Sequence, residues 1–268
     1  MNNKSAILNT MERAARRAAR GLLRDFGEVE RLQVSRKGPA DFVSSADRDA
    51  EQILVEELSK ARPDYGFILE ESKNVEARDG EHYWVIDPLD GTTNYLHGLP
   101  HFAISLALMQ RGDVVAGLIL DPVKDELFFA ERGRGAYMND HRLRVSGRRA
   151  MPDCVLATGI PFHGKPGHDL FHAELQSLTE QVAGIRRFGV ASLDLAYVAA
   201  GRFDGFWERG LKRWDIAAGI VLVREAGGIV SDMRGRAKML ETGDIIAANS
   251  EMHLPLVKVL RDVGKSHQ

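Results

Sequence analysis

The chain reads as a mixed fold, an α+β half followed by an α/β half. Three observations predict it. Two helical patterns precede a run of consecutive β patterns before residue 147. After residue 152, β and helical patterns alternate. The 268 residues, 44% hydrophobic and 28% charged, have an ordinary globular balance and suffice for one large domain or two medium ones.

Taken in order, residues 1–26 predict a helix, because Met11, Ala15, Ala18, Leu22 and Phe26 recur at roughly helical spacing. Residues 13–20 of that helix are basic and Ala-rich, as in a nucleic-acid-binding or transit segment. Glu12 and Asp25 interrupt the basic face, which favours an amphipathic helix packed on its own domain. Residues 46–60 predict a second helix with Ile53, Leu54 and Leu58 as its stripe. Residues 83–86, 103–109, 114–120 and 126–131 predict strands, with turn signals at Gly112-Asp113 and Asp121-Pro122. Residues 132–139 are Gly-rich and read as a loop or hairpin, and 143–146 as a short strand. Helices followed by consecutive strands suggest an antiparallel sheet. A boundary near residues 147–152 then separates a domain of residues 1–148 from one of residues 149–268. Beyond it, strands are expected at 154–158, 185–188, 204–208, 228–232 and 245–249. Helices are expected at 169–181, 192–200, 215–225 and 252–263, with a disordered tail from 264 to 268.

Bulk properties exclude several classes. A net charge of −2 gives no global field favouring nucleic acid or an anionic membrane. The one cysteine, Cys154, allows no intrachain disulfide and suits a reducing cytosol. Apolar runs at 103–109, 114–120 and 217–223 are too short to span a bilayer, and the N-terminus lacks a secretory core. A cytoplasmic protein is expected, with no membrane partner.

The segment from Trp84 to Asn94 carries the chemistry. An apolar strand runs into Asp87-Pro88-Leu89-Asp90-Gly91-Thr92-Thr93. Two like charges so close raise each other's cost of ionisation, so a hard cation is a natural partner. Gly91 lets the backbone approach anionic oxygens. The alternative is a strand closed by an Asp-Gly turn. Three further segments bear on the choice: Asp41 to Asp47 (D-x-V-S-x-x-D), Glu70-Glu71-Ser72, and Trp214-Asp215-Ile216-Ala217-Ala218-Gly219. Asp215 near a helix start and Asp47 after Ser44 each also fit capping roles.

Together and in this order, the four segments resemble the inositol monophosphatase family, Mg²⁺-dependent and lithium-sensitive, and most of all its bacterial SuhB-like branch. The resemblance runs from about Lys37 to Asn249. It implies a layered αβαβα sandwich and two or three Mg²⁺ per active site. It implies Glu70, Asp87, the main-chain carbonyl of Leu89, Asp90 and Asp215 as metal ligands. Asp47 and Thr92 would act together on the attacking water, with Glu70 also counted among the catalytic residues. Asp90, Gly91, Thr92, Gly189, Val190, Ala191, Glu208 and Asp215 would contact substrate, and Lys37 is a further candidate. Val190 departs from the Ser or Thr usual there, which predicts a missing polar contact to the sugar. The implied activity is hydrolysis of myo-inositol monophosphate or a related small polyol phosphate by a homodimer. The alternatives are a superfamily phosphatase for fructose bisphosphate, a nucleotide 3′-phosphate or NADP, or a regulatory protein that binds transcription machinery.

Overall fold

The structure is a computed structural model that describes residues 4–26, 34–38 and 41–267, leaving aside the side chains of 34–38 and 41–44. The first half holds α1 (Ala6–Phe26), β1 (Val34–Gly38), β2 (Asp41–Ser44), α2 (Ser45–Ala61), β3 (Gly66–Leu69), β4 (His82–Asp90), α3 (Thr92–Leu96), β5 (Ala103–Gln110), β6 (Asp113–Asp121), β7 (Glu126–Glu131), β8 (Gly135–Met138) and β9 (His141–Arg142). The second holds β10 (Val155–Thr158), α4 (His168–Thr179), β11 (Gly184–Arg186), α5 (Ala191–Ala199), β12 (Gly205–Glu208), α6 (Arg213–Glu225), β13 (Ile229–Ser231), α7 (Met239–Thr242), β14 (Ile245–Ala248) and α8 (Ser250–Ser266).

These elements stack as five alternating layers, and strand periodicity explains why. Successive strand side chains point to opposite faces. On β4, Trp84 and Ile86 meet Leu8, Met11 and Leu22 of α1 and Leu54 and Leu58 of α2. Val85, between them, faces the opposite way, toward Leu193 and Leu195 of α5 and Ile216 and Ile220 of α6. On β12, Phe206 joins that same middle core, while Trp207 turns outward to Phe171 and Leu178 of α4 and Leu256 and Leu260 of α8. Both sheets are therefore covered on both faces. That is why residues 103–109 read as a continuous apolar run although β5 pairs antiparallel on both sides.

The larger sheet runs β3-β4-β5-β6-β7-β8-β9, antiparallel except for the parallel β3–β4 edge. The smaller runs β11-β10-β12-β14-β13. There β10 is parallel to β11 and β12, but β14 is antiparallel to β12 and β13, so the alternating pattern gives a mixed sheet. The middle helices α5 and α6 come from the second half yet pack on both sheets, so the two halves share one core.

Residues 132–139 form the β7–β8 hairpin, one of the two forms expected of them. Three local expectations change. Residues 143–146 form no strand; the Val145 N–H donates to Ala226 O (3.1 Å), because the chain here crosses toward the end of α6. The tail is helical to Ser266, because Met252, Leu256, Val257 and Leu260 pull α8 onto the outer face of the small sheet. Asn249, expected in a strand, instead caps α8 by accepting the N–H groups of Glu251 and Met252. Residues 1–3 of the first predicted helix and Gln268 lie outside the described residues.

The basic face of α1 is largely answered by acids. Arg16 pairs with Glu12 (2.9 Å) and Asp125 (2.7 Å), and Arg17 with Glu57. Its apolar face is buried from Leu8 to Leu22, as the amphipathic reading expects.

Candidate active site

The site begins where β4 stops being able to pair. Pro88 has no N–H to give the ladder. The register with β5 breaks between Asp87, opposite Ser105, and Asp90, opposite Ala103. The freed backbone turns back on itself: the Leu89 N–H donates to Asp87 Oδ1 at 3.0 Å. Gly91 follows at φ 94°, a conformation that suits glycine. A Cβ added there would lie 2.8 Å from Val190 Cγ2. α3 then starts, and Thr92 Oγ1 lies 3.1 Å from both Asp47 Oδ1 and Leu89 O, donating toward that pair.

Around this turn the structure gathers acids from three other elements. Glu70, just past β3, hydrogen-bonds Asp87. Asp215 lies in the first turn of α6 and accepts the Lys212 N–H at 2.7 Å, so the capping role proposed from sequence is real. Asp90 accepts the Ser192 N–H at 2.7 Å, which ties the turn to the start of α5. Glu208 ends β12 beside Gly159, where any Cβ would overlap its carboxylate.

Crowding sets the electrostatics. Burial, then the charges of Glu70, Asp90 and Asp215, holds the Asp87 carboxyl well above its ordinary range. Burial pushes Asp90 up to about 6 against the opposing hydrogen bonds from Ser192, Ala191 and Gly91. Asp215 rises to about 7 through burial and the charge of Asp90, and Glu208 to about 8 through burial and the charge of Asp215. Lys165 opposes both of the last two. Among the described residues no three such side chains already close into a metal cage. The donors present nonetheless fit hard cations: four carboxylates from three parts of the chain, a carbonyl at Leu89, and no soft ligand among them. Their mutual repulsion is what bound cations would relieve.

Other predicted residues are placed as follows. Asp47 is buried on α2 against Thr92. Glu71 points its N–H at Glu51 Oε2 (2.9 Å), away from the role given to Glu70. Gly189 lies under the Arg187 guanidinium at φ 77°, and Ala191 opens α5. Lys37 lies on β1, and its side chain is outside the described residues. Val190 requires a correction. Its side chain is fully buried in the middle core against Gly91, so it does not face the sugar, and a hydroxyl there would be buried too.

Sequence reasoning missed three residues. Buried Asn94 donates from Nδ2 to the carbonyls of His101 and Phe188, both at 2.9 Å, and so clamps the turn to the segment before α5. Its place within the Asp87–Asn94 motif was the available signal. Ser192 acts through its backbone, which no side-chain motif reveals. Asp194 is buried with neither carboxylate oxygen hydrogen-bonded, and burial with the charge of Glu208 raises its pKa strongly. Beside Glu208 a cavity of about 410 Å³ opens, with Ile160, Phe171 and Trp207 on its walls and Lys165 and Lys212 among its lining cations.

A model of the inositol monophosphatase family matches residues 3–265. The chain belongs to that family. It is 56% identical over 258 residues to an inositol-1-monophosphatase of Mesorhizobium japonicum, covering 96% of this chain and 97% of that protein. It is 46% identical over 259 residues to the Nus factor SuhB of Pseudomonas aeruginosa, covering 95% and 96%. The crystal structure of extragenic suppressor protein SuhB from Bartonella henselae superposes with a TM-score of 0.94 at 56% identity, covering 96% of this chain and 99% of that one. Members of the inositol monophosphatase family are metal-dependent phosphatases of small phosphorylated substrates, and this chain is an enzyme of that kind.

Proposed function

We propose that the chain hydrolyses myo-inositol monophosphate, or a closely related small polyol phosphate, with two or three Mg²⁺ per site. The observation that carries this reading is the convergence of Glu70, Asp87, Asp90 and Asp215, from the end of β3, from β4 and from α6, on one electrostatically strained point. These four and the Leu89 carbonyl would hold the cations. Bound there, Mg²⁺ would supply Lewis-acid polarisation of water and charge neutralisation on phosphate.

The chain's own groups do the rest. The Thr92 hydroxyl, donating toward Asp47, keeps a lone pair free to accept a hydrogen bond from water and orient it. Asp47 takes the proton through that hydroxyl, as a general base acting by relay. Glu70 holds water on the same side as Asp87. Gly91 and Thr92 border the phosphate. Glu208 meets sugar hydroxyls, and Gly189, Val190 and Ala191 contribute main-chain groups, since the Val190 side chain is turned away. Lys37 would add a positive charge toward the phosphate. Cytoplasmic residence is supported by the lone, buried Cys154, and no described helix is long and apolar enough to cross a membrane. A homodimer rests on the family resemblance.

A panel assay tests the reading. Phosphate release from inositol 1-phosphate in Mg²⁺ should exceed release from fructose 1,6-bisphosphate, adenosine 3′-phosphate and NADP, and EDTA should abolish it. Faster turnover of any of those three would transfer the assignment to that substrate. A second reading, a role with transcription machinery, is favoured by the name of the 46% identical relative. The ion-paired arginines of α1 lend it little support.

A further inference from the structure

Glu208 has room to stand in the wrong place. Among the described residues its carboxylate makes no hydrogen bond or ion pair. It touches Gly159 on one side and borders the cavity of about 410 Å³ on the other. Its position therefore comes from the backbone that carries it. As far as Glu208 the sheet holds that backbone: Trp207 lies opposite Thr158 of β10, and Glu208 opposite Ile245 of β14. There β12 ends, and Arg209 takes over.

Alternation puts Arg209 on the same face as Trp207, toward α4. Its Nε (2.9 Å) and Nη2 (2.5 Å) both donate to Oε1 of Glu174, and its Nη1 donates to Asp244 Oδ2 (3.4 Å). The next residues are fastened along the same line. The Gly210 N–H donates to Asp244 Oδ1 (3.2 Å), and the Leu211 N–H to Gly243 O (2.8 Å). Glu174 is 1% exposed, so the ion pair is a buried one on the Glu174 side. Desolvation offsets most of the attraction in such a pair, and two apolar side chains of similar volume would fasten α4 to the sheet as well. They would not supply direction. A planar guanidinium spanning acids on two separate elements fixes where its own backbone sits.

We infer that Arg209, forked between Glu174 and Asp244, is a positioning residue: it fixes the end of β12 so that Glu208 faces the sugar and stays out of the cavity. The inference rests on the reading that Glu208 meets sugar hydroxyls. Asp215 has its own anchor in the Lys212 N–H, so the metal centre does not depend on this pair.

Steady-state kinetics of the Mg²⁺-loaded enzyme test this, with inositol 1-phosphate and with phenyl phosphate, which has no hydroxyl for Glu208 to meet. Arg209→Lys keeps the charge but cannot span two acids. Glu174→Gln keeps the shape but loses the pair. Each should raise KM for inositol 1-phosphate about fivefold, the loss of one hydrogen bond to the sugar. The kcat for inositol 1-phosphate and both constants for phenyl phosphate should hold. Arg209→Met combined with Glu174→Met removes both charges; its melting temperature should match the parent's while KM stays raised. Glu208→Ala, run beside these, should raise KM for inositol 1-phosphate alone. If it does and Arg209→Lys and Glu174→Gln do not, the inference falls by itself. A KM that recovers with the melting temperature in the double variant, or an equal loss on both substrates, also overturns it. No effect of Glu208→Ala would sink the reading of Glu208 and the inference with it.

Discussion

Removing cations should make the protein unstable in a pH-dependent way, and the carboxylate cluster sets the size. Without metal, Asp90 keeps its proton up to about pH 6 and Asp215 up to about pH 7, against an ordinary aspartate value near 3.9. At intermediate pH the folded chain holds protons that the unfolded chain has released. The stability these two groups contribute is therefore fully present below the unfolded value and is lost as pH climbs through 6 and 7. At about 1.4 kcal/mol per unit, the ceilings are about 3 kcal/mol for Asp90 and about 4 for Asp215. Each carboxylate keeps one side open to water and they titrate together, so about half the sum, or ~3 kcal/mol, is the working figure. In a chain of this size that is roughly 5–10 °C of melting temperature. Scanning calorimetry in EDTA should show this fall spread between about pH 4 and pH 7.5. Saturating Mg²⁺ should reverse it at pH 7.5 and do much less at pH 5.5, and Asp215→Asn should flatten it. A melting temperature in EDTA that is level or rising over that range, or an equal fall in Asp215→Asn, would refute the reasoning.

Other outcomes follow from single contacts. Asp47→Asn should lower kcat more than it weakens Mg²⁺ affinity, read from turnover against Mg²⁺ titrations; loss of thermal stability alone would leave Asp47 a capping residue. Gly159→Ala should push Glu208 aside, raising KM for inositol phosphate several-fold while an aryl phosphate is turned over as before. Val190→Ser should cost about 2 kcal/mol of stability by leaving a cavity and a buried hydroxyl, with KM unchanged, as denaturant melts and kinetics can separate. Li⁺ should inhibit in the submillimolar to millimolar range when titrated against Mg²⁺, since its site must compete with hydrated Mg²⁺.

Much of this was legible from residue order because the layers impose strong periodicities. Strands buried on both faces leave unbroken apolar runs, and the helices between them leave stripes, so their positions fell within a few residues. The motif acids were legible because apolar strands do not ordinarily end in carboxylates. Less visible were the features that depend on contacts distant in sequence. The antiparallel placement of β14 follows from the excursion through residues 232–244, which carries no pairing signal. The orientation of Val190 was misread because a motif position specifies a place beside the substrate but not which way its side chain points. Short helices such as α3 and α7 have too few residues to show a period.

The joint between the metal turn and the α5 segment is made on the α5 side by main-chain groups. Asp90 is held by the Ser192 N–H, and Asn94 grips the Phe188 carbonyl. Such donors and acceptors are the same for nearly every amino acid, proline at 192 excepted. Over evolutionary time the exposed Phe188 side chain can therefore change without loosening the joint, whereas Gly189, at φ 77°, and the buried Val190 and Ser192 are held by backbone conformation and packing.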